Sequence, residues 1–228
     1  MPLELENILI TGRTYEEYAA FFDLDENELV GKKVLDCPSG ASSFIATARS
    51  KGIDAQGVDI LYENRIEDIY TQGKVSIEKI YEDSSWMDGH NFEFYGSIEN
   101  HRNYRENALE DFAKHYNNKE YAFMSLPKLE FADRSFDLLL SSHLLFVYDD
   151  RFDYEFHKNS VLEMLRVSKE VRIFPLIDFQ NKYLEEEKNF SPFVYELLEE
   201  LKEFQCKIVK VGFEFQPRAG YMLKISNV

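Results

Sequence analysis

Two aspartates stand where short apolar runs end: Asp36 in KKVLDCPSGASSF (residues 32–44) and Asp59 in IDAQGVDI (residues 53–60). A carboxylate at a strand end can accept hydrogen bonds from a ligand's donors. It can equally cap a helix or satisfy loop amides. Just after Asp36, the residues Pro38, Ser39, Gly40 and Ser42 make a small-residue loop of the kind that lets backbone approach a ligand. A phosphate-cradling G-x-x-x-x-G-K-[ST] loop is excluded, because only Gly40 is present and no Lys follows. The dinucleotide pattern G-x-G-x-x-G also fits poorly, since CPSGAS lacks its first and third glycines. His143, in SSHLLF, is a candidate general base, or else a structural histidine. Arg13, in TGRTYEEY, has the fork geometry to clamp a carboxylate, or else forms a surface ion pair. His90, His101, His115 and His157 show no metal-ligand spacing, so no metal is expected.

These residues need elements to hold them. Thr14 and Glu17 form a capping box that opens a helix over about 14–22, with Tyr15, Tyr18 and Phe22 on one face. KVLDC (33–37) reads as a buried parallel strand, SSFIATARSKG as a helix stopped by Gly52, and IDAQGVDI as the next strand. Together they form one βαβ unit. Residues 74–119 break the rhythm with a long, polar, aromatic-rich stretch, helical around 104–116, which reads as an inserted lid. Strands return with EYAFMS (120–125) and FDLLLSS (136–142), and a helix in EFHKNSVLEMLRVS leads to the strand EVRIFPL (170–176). Ser191 and Pro192 open a helix with apolar positions Val194, Leu197, Leu198, Leu201 and Phe204. CKIVKVGFEF and GYMLKIS close the chain as an antiparallel pair.

The 228 residues are 44% hydrophobic, enough for one α/β core, and carry a net charge of −16. The 26 Lys and Arg are scattered, so neither nucleic acid nor an anionic membrane is an expected partner. Cys37 and Cys206 make no framework, and Glu4 and Glu6 stand where a signal peptide carries positive charge. The longest apolar run, inside residues 138–148, is too short to span a bilayer. A cytoplasmic protein working on a small molecule is the expectation.

VLDCPSGASSF resembles motif I of the class I S-adenosylmethionine-dependent methyltransferases, V-L-D-x-G-x-G-x-G, with Pro38 replacing one glycine, Gly40 keeping another and Ser42 at the third. Asp59, 23 residues beyond Asp36 (59 − 36), stands where that family places its ribose-binding acid. LEFADRSFDLLLSSHLLF resembles the L-P-F-x-D-x-S-F-D-L-V run through the fourth strand, and VLEMLRVSKEVRIFPL the region that follows, with Lys169-Glu170 in place of the usual turn. The resemblance spans about residues 12–226, apart from the insertion. It implies a Rossmann-like α/β fold: a mostly parallel seven-stranded sheet with a C-terminal antiparallel hairpin, helices on both faces and a partly helical lid.

It further implies binding of S-adenosylmethionine and of its product S-adenosylhomocysteine. Pro38, Ser39, Gly40 and Ser42 would line the methionyl tail, with Arg13 as a candidate for its carboxylate. Asp36 would orient its amino group, directly or through water, and Asp59 would hold the ribose. Ile60 would lie against adenine, with Ser125 where the family often has an acid and Leu126 offering a backbone N–H. Ser141 and Ser142 would lie near the reactive methyl. The acidic run YDDRFDYE (148–155) is a solvated loop or an attraction for a cationic substrate. Trp86, Phe92, Phe94, Tyr95 and Tyr104 wall an acceptor site or pack the lid. The expected function is methyl transfer to a small-molecule acceptor. Its rivals are a degenerate cofactor-binding module or sensor, and a nicotinamide-dependent Rossmann enzyme.

Overall fold

The structure is a computed structural model describing residues 9–83, 85–117, 119–178 and 190–227, except for the Trp86 side chain. Strands β1 (Lys33–Asp36), β2 (Asp54–Asp59), β3 (Tyr121–Phe123), β4 (Phe136–Ser142), β5 (Ser168–Phe174), β6 (Phe204–Lys210) and β7 (Tyr221–Asn227) form one sheet in the order β3-β2-β1-β4-β5-β7-β6. The pairings among β1 to β5 are parallel, and β7 runs antiparallel to both β5 and β6. Chain order reverses between β1 and β4, which opens a crevice at the carboxyl ends of those strands.

Side chains of a strand alternate between faces, and β1 sorts its two central residues accordingly. Val34 joins an apolar cluster with helices α1 (Tyr15–Phe22), α3 (Phe44–Ser50), α4 (Ile66–Glu82) and α5 (Ile98–His115). Leu35 joins the cluster on the opposite face, with α6 (Tyr154–Val167) and α7 (Pro192–Glu200). Both side chains are fully buried, each contributing about 1.5–3 kcal/mol of transfer free energy. A four-residue helix, α2 (Glu26–Leu29), carries the chain from α1 into β1. Among the described residues no helix is long and apolar enough to cross a membrane.

Several elements depart from the sequence expectation. Helix α4 runs through position 74 to Glu82, and a 3-10 turn (Ser85–Met87) precedes α5. Helix α5 begins at Ile98 rather than near 104, with Ser97 as its N-cap accepting from Asn100 N. Its buried stripe starts with His101 and Arg105 before reaching Ala108, Leu109 and Phe112, so its early turns look polar in sequence. Helix α7 ends at Glu200, and Phe204 instead opens β6 because pairing with Asn227 of β7 claims it. Ser191 stands at the N-cap of α7, yet its hydroxyl donates to Asp149 Oδ2 at 2.9 Å rather than capping.

Candidate functional site

The loop after β1 is tied down on both sides. Cys37 N donates to Leu140 O of β4, Ser39 N to Val58 O of β2, and Ser43 N to Arg13 O. Gly40 holds φ +55°, a left-handed conformation that suits glycine, and an added Cβ there would meet open space. Gly57 of β2 lies so close beneath that its Cβ would stand 2.7 Å from Ser39 Oγ. Above the loop opens a cavity of about 660 Å³. Its wall includes Pro38, Ser39, Gly40 and Ser42 from the loop, Asp59 and Ile60 after β2, and Ser125 and Leu126. It also includes Arg13, and Ser142, His143 and Tyr148 beyond β4.

The two strand-end acids differ in placement. Asp59 borders the cavity, nearly buried, and each of its oxygens is engaged: Oδ2 accepts from Gly40 N at 2.7 Å and Oδ1 from Leu61 N at 2.8 Å. Burial raises its carboxyl pKa, against the lowering influence of those amides. Tyr62 donates its hydroxyl to Gly40 O, so both peptide groups of Gly40 are fixed. Asp36 is fully buried and does not border the cavity. The Tyr18 hydroxyl lies 3.0 Å from both of its oxygens, and Ser39 Oγ donates to Oδ2 at 2.7 Å. Burial pushes the Asp36 carboxyl up to about 8, despite both bonds. Asp36 therefore does not reach the cavity itself, whereas Tyr18 and Ser39, both bonded to it, do border the cavity.

Other expected residues divide likewise. Ser42 Oγ donates to Arg13 O and accepts from Phe44 N, so it braces the loop as well as lining it. Ser125 Oγ donates to Leu126 O at 3.0 Å. Ser141 is buried off the cavity wall, and its hydroxyl has no hydrogen-bond partner among the described residues. Ser142 is on the wall and its Oγ shares a 2.6 Å hydrogen bond with His143 Nδ1. His143 has φ +56° and packs against Phe21 and Phe174, which stack on each other. Its pKa lies well below the usual imidazole value through burial, then through the charges of Arg13 and Arg105. An imidazole whose basicity burial has lowered this far is a weak general base. Among the described residues, no group of three His, Cys, Asp or Glu could hold a metal ion.

Arg13 is half-buried in the wall, with no described carboxylate paired to it, so the surface ion pair is not what forms. Two acids of the run beyond β4 serve structure, Asp149 accepting from Ser191 and Asp153 capping α6, while Asp150 and Glu155 are exposed. Of the four described aromatics expected to wall an acceptor site, Tyr95 borders the cavity; Phe92 packs on Phe215, and Phe94 on Tyr104 and Phe213. Trp86 lies outside the described side chains. Sequence reasoning missed Tyr18, Tyr62, His101, Arg105, Phe213 and Phe215. Tyr18 carried a signal only as part of an apolar helix face. Arg105 is fully buried and pairs with Glu17 of α1, which also accepts from the Tyr95 hydroxyl at 2.5 Å.

No protein-family model matches the chain. The uncharacterized protein MJ0045 of Methanocaldococcus jannaschii is 32% identical over 227 residues, covering 98% of each chain. Among solved structures, magnesium protoporphyrin IX methyltransferase from Synechocystis PCC 6803, with bound SAM, superposes with a TM-score of 0.50. That likeness covers 94% of this chain and 78% of the other at 12% identity. It is a likeness of fold, and the sheet order with its antiparallel β7 is that of the class I S-adenosylmethionine-dependent methyltransferases.

Proposed function

We infer, for a chain that belongs to one family with MJ0045 and carries the class I methyltransferase fold, that it is an S-adenosylmethionine-dependent methyltransferase acting on a small molecule. The observation that carries this reading is the single chamber at the carboxyl ends of β1, β2 and β4. One side is the Gly40 loop with Asp59; the other is Ser142, His143 and the lid residues Tyr95 and His101. Cofactor and acceptor can thus meet in one enclosure, of a volume ordinary for small-molecule sites.

The residues present fit the cofactor. Gly40 faces open space where an amino-acid tail would lie, with Pro38, Ser39 and Ser42 beside it. Each Asp59 oxygen accepts one amide and keeps a lone pair for a ribose hydroxyl. Ile60, Ser125 and Leu126 line the cavity where adenine would lie. Tyr18 and Ser39, backed by Asp36, present oxygens to the amino group. When bound, the sulfonium supplies an activated methyl group, and the chain's task is alignment and exclusion of water.

A second reading, a binding module without transfer, draws on Asp59 being spent on loop amides and Asp36 being covered. Calorimetric titration with S-adenosylmethionine, S-adenosylhomocysteine and NAD tests both readings. Binding of the two adenosyl ligands but not NAD, weakened at least about tenfold in Asp59→Ala, is the expected result. Tight NAD binding lost in that variant, or no adenosyl binding by the wild type, would overturn the assignment. Cofactor binding without methyl consumption across many acceptors would favour the module.

A further inference from the structure

The surface is strongly acidic, yet a permanent cation stands inside the cavity wall without a described carboxylate partner. Arg13 Nη1 donates to Thr11 Oγ1 at 3.1 Å and Gly12 O at 3.4 Å, which aims the guanidinium without neutralising it. Arg105 nearby is different, since Glu17 already answers its charge. The charge of Arg13 reaches His101 of the lid, His143 beyond β4, and the hydroxyls of Tyr18, Tyr95 and Tyr148. Arg13 is tied through its carbonyl to Ser42 and Ser43 of the loop, so its guanidinium lies between the loop on one side and the Tyr95–His101 and His143–Tyr148 walls on the other, within reach of both ends of the chamber. Lys79 also borders the cavity, but from an exposed position.

Resting on the methyltransferase reading above, we propose that the acceptor is a small carboxylic acid with an apolar body, that Arg13 binds its carboxylate, and that this carboxylate is the group methylated. The body would lie against Tyr95, His101, Phe213 and Phe215. His101 stacks on Phe215 with centroids 4.7 Å apart at 16°. Its Nδ1 is joined to the Tyr81 hydroxyl at 2.7 Å, and burial brings its pKa to about 3, so this wall is uncharged at neutral pH. One inner cation in an apolar chamber matches a single negative charge better than a dianion.

The chemistry follows from the weakness of the base. His143 Nδ1 is held by Ser142 and its ring packs against the stacked pair Phe21 and Phe174, so an acceptor that must first lose a proton finds only a weak base in it. A carboxylate is already deprotonated at neutral pH. Its oxygen lone pair forms the new O–CH3 bond as the S–CH3 bond breaks, with that electron pair leaving on sulfur. Sulfonium and carboxylate become thioether and methyl ester, both uncharged at the reacting atoms, and no proton is released. Arg13 is a positioning residue in this step.

The test uses the S-adenosylhomocysteine complexes of wild type, Arg13→Gln and Arg13→Lys, titrated with phenylacetate, phenethylamine and 2-phenylethanol. Phenylacetate should bind wild type in preference to the other two and lose about ten- to a hundredfold in affinity in Arg13→Gln, with partial recovery in Arg13→Lys and cofactor-product affinity within about threefold. Retained product binding also shows that the variants fold. Methyl label transferred to phenylacetate should be released as methanol by alkali. The proposal is overturned if phenylacetate fails to bind wild type, if phenethylamine binds equally well, or if the label is alkali-stable. It is also overturned if Arg13→Gln loses S-adenosylhomocysteine and leaves phenylacetate unchanged, since Arg13 would then serve the cofactor. Failure of wild type to bind S-adenosylhomocysteine at all would instead sink the methyltransferase reading itself.

Discussion

Replacing Arg105 by methionine should unfasten the lid from the core. Arg105 of α5 donates from Nη1 to Gly12 O at 2.7 Å and from Nη2 to Glu17 Oε1 of α1, with both side chains removed from solvent. Glu17 Oε2 also accepts from Thr14 N at 2.8 Å, closing the capping box. Methionine fills the space of the stem but strands the Glu17 carboxylate and the Gly12 carbonyl. Breaking a buried pair from one side costs about 3–5 kcal/mol. For a chain of this length that lowers Tm by about 10 °C. Glu17→Gln added to Arg105→Met removes the stranded charge while keeping an acceptor for Thr14 and Tyr95. The double variant should regain about 2 kcal/mol over the single one. Urea unfolding of wild type, Arg105→Met, Glu17→Gln and the double variant, with the slope checked for constancy, reads both quantities. A double variant no more stable than Arg105→Met would refute the claim that the guanidinium matters through Glu17.

Three further outcomes follow from the same geometry. Gly57→Ala should destabilise by about 1–3 kcal/mol and weaken S-adenosylhomocysteine binding, because its Cβ would press on Ser39, whose hydroxyl is committed to Asp36; unchanged denaturation and calorimetry would contradict this. The raised pKa of Asp36, about 8, means the folded protein keeps a proton that the unfolded chain has lost. Its stabilising contribution is complete below the unfolded carboxylate value and is lost as pH rises from about 4 through about 8, so Tm of wild type should fall across that window more than Tm of Asp36→Asn; parallel profiles would refute it. Asparagine tolerates the left-handed backbone of residue 143, so His143→Asn should keep methyl transfer within about tenfold, whereas loss of a general base would cost about a hundredfold or more.

What the sequence makes legible follows the range of the interaction. The capping box at Thr14 and Glu17 needs four residues and forms as its pattern says. Runs such as KVLD and FDLLLSS are apolar because both faces are covered, and they appear as β1 and β4. Asp59 was visible for a related reason: a strand end at the sheet's switch point faces the cavity whatever the loops do. By contrast, nothing local announces that Tyr18 would cover Asp36, or that Glu17 would have partners 78 and 88 residues away. Helix α5 was misjudged at its start because its first buried positions, His101 and Arg105, are ones that sequence reading sends to solvent.

The lid bears on how an acceptor could enter. Residues 74–119 interrupt the β-α rhythm, yet the alignment with MJ0045 covers 98% of both chains, so this stretch falls within what the two proteins share. In the fold, α5 packs on α4 and is clamped to α1 by Glu17, Arg105 and Tyr95. Swinging α5 away would break that buried network. The helix is thus tied down as part of the cavity wall, to which it contributes His101 and Arg105; on the proposal above, His101 would meet the acceptor's apolar body and Arg13 its charge.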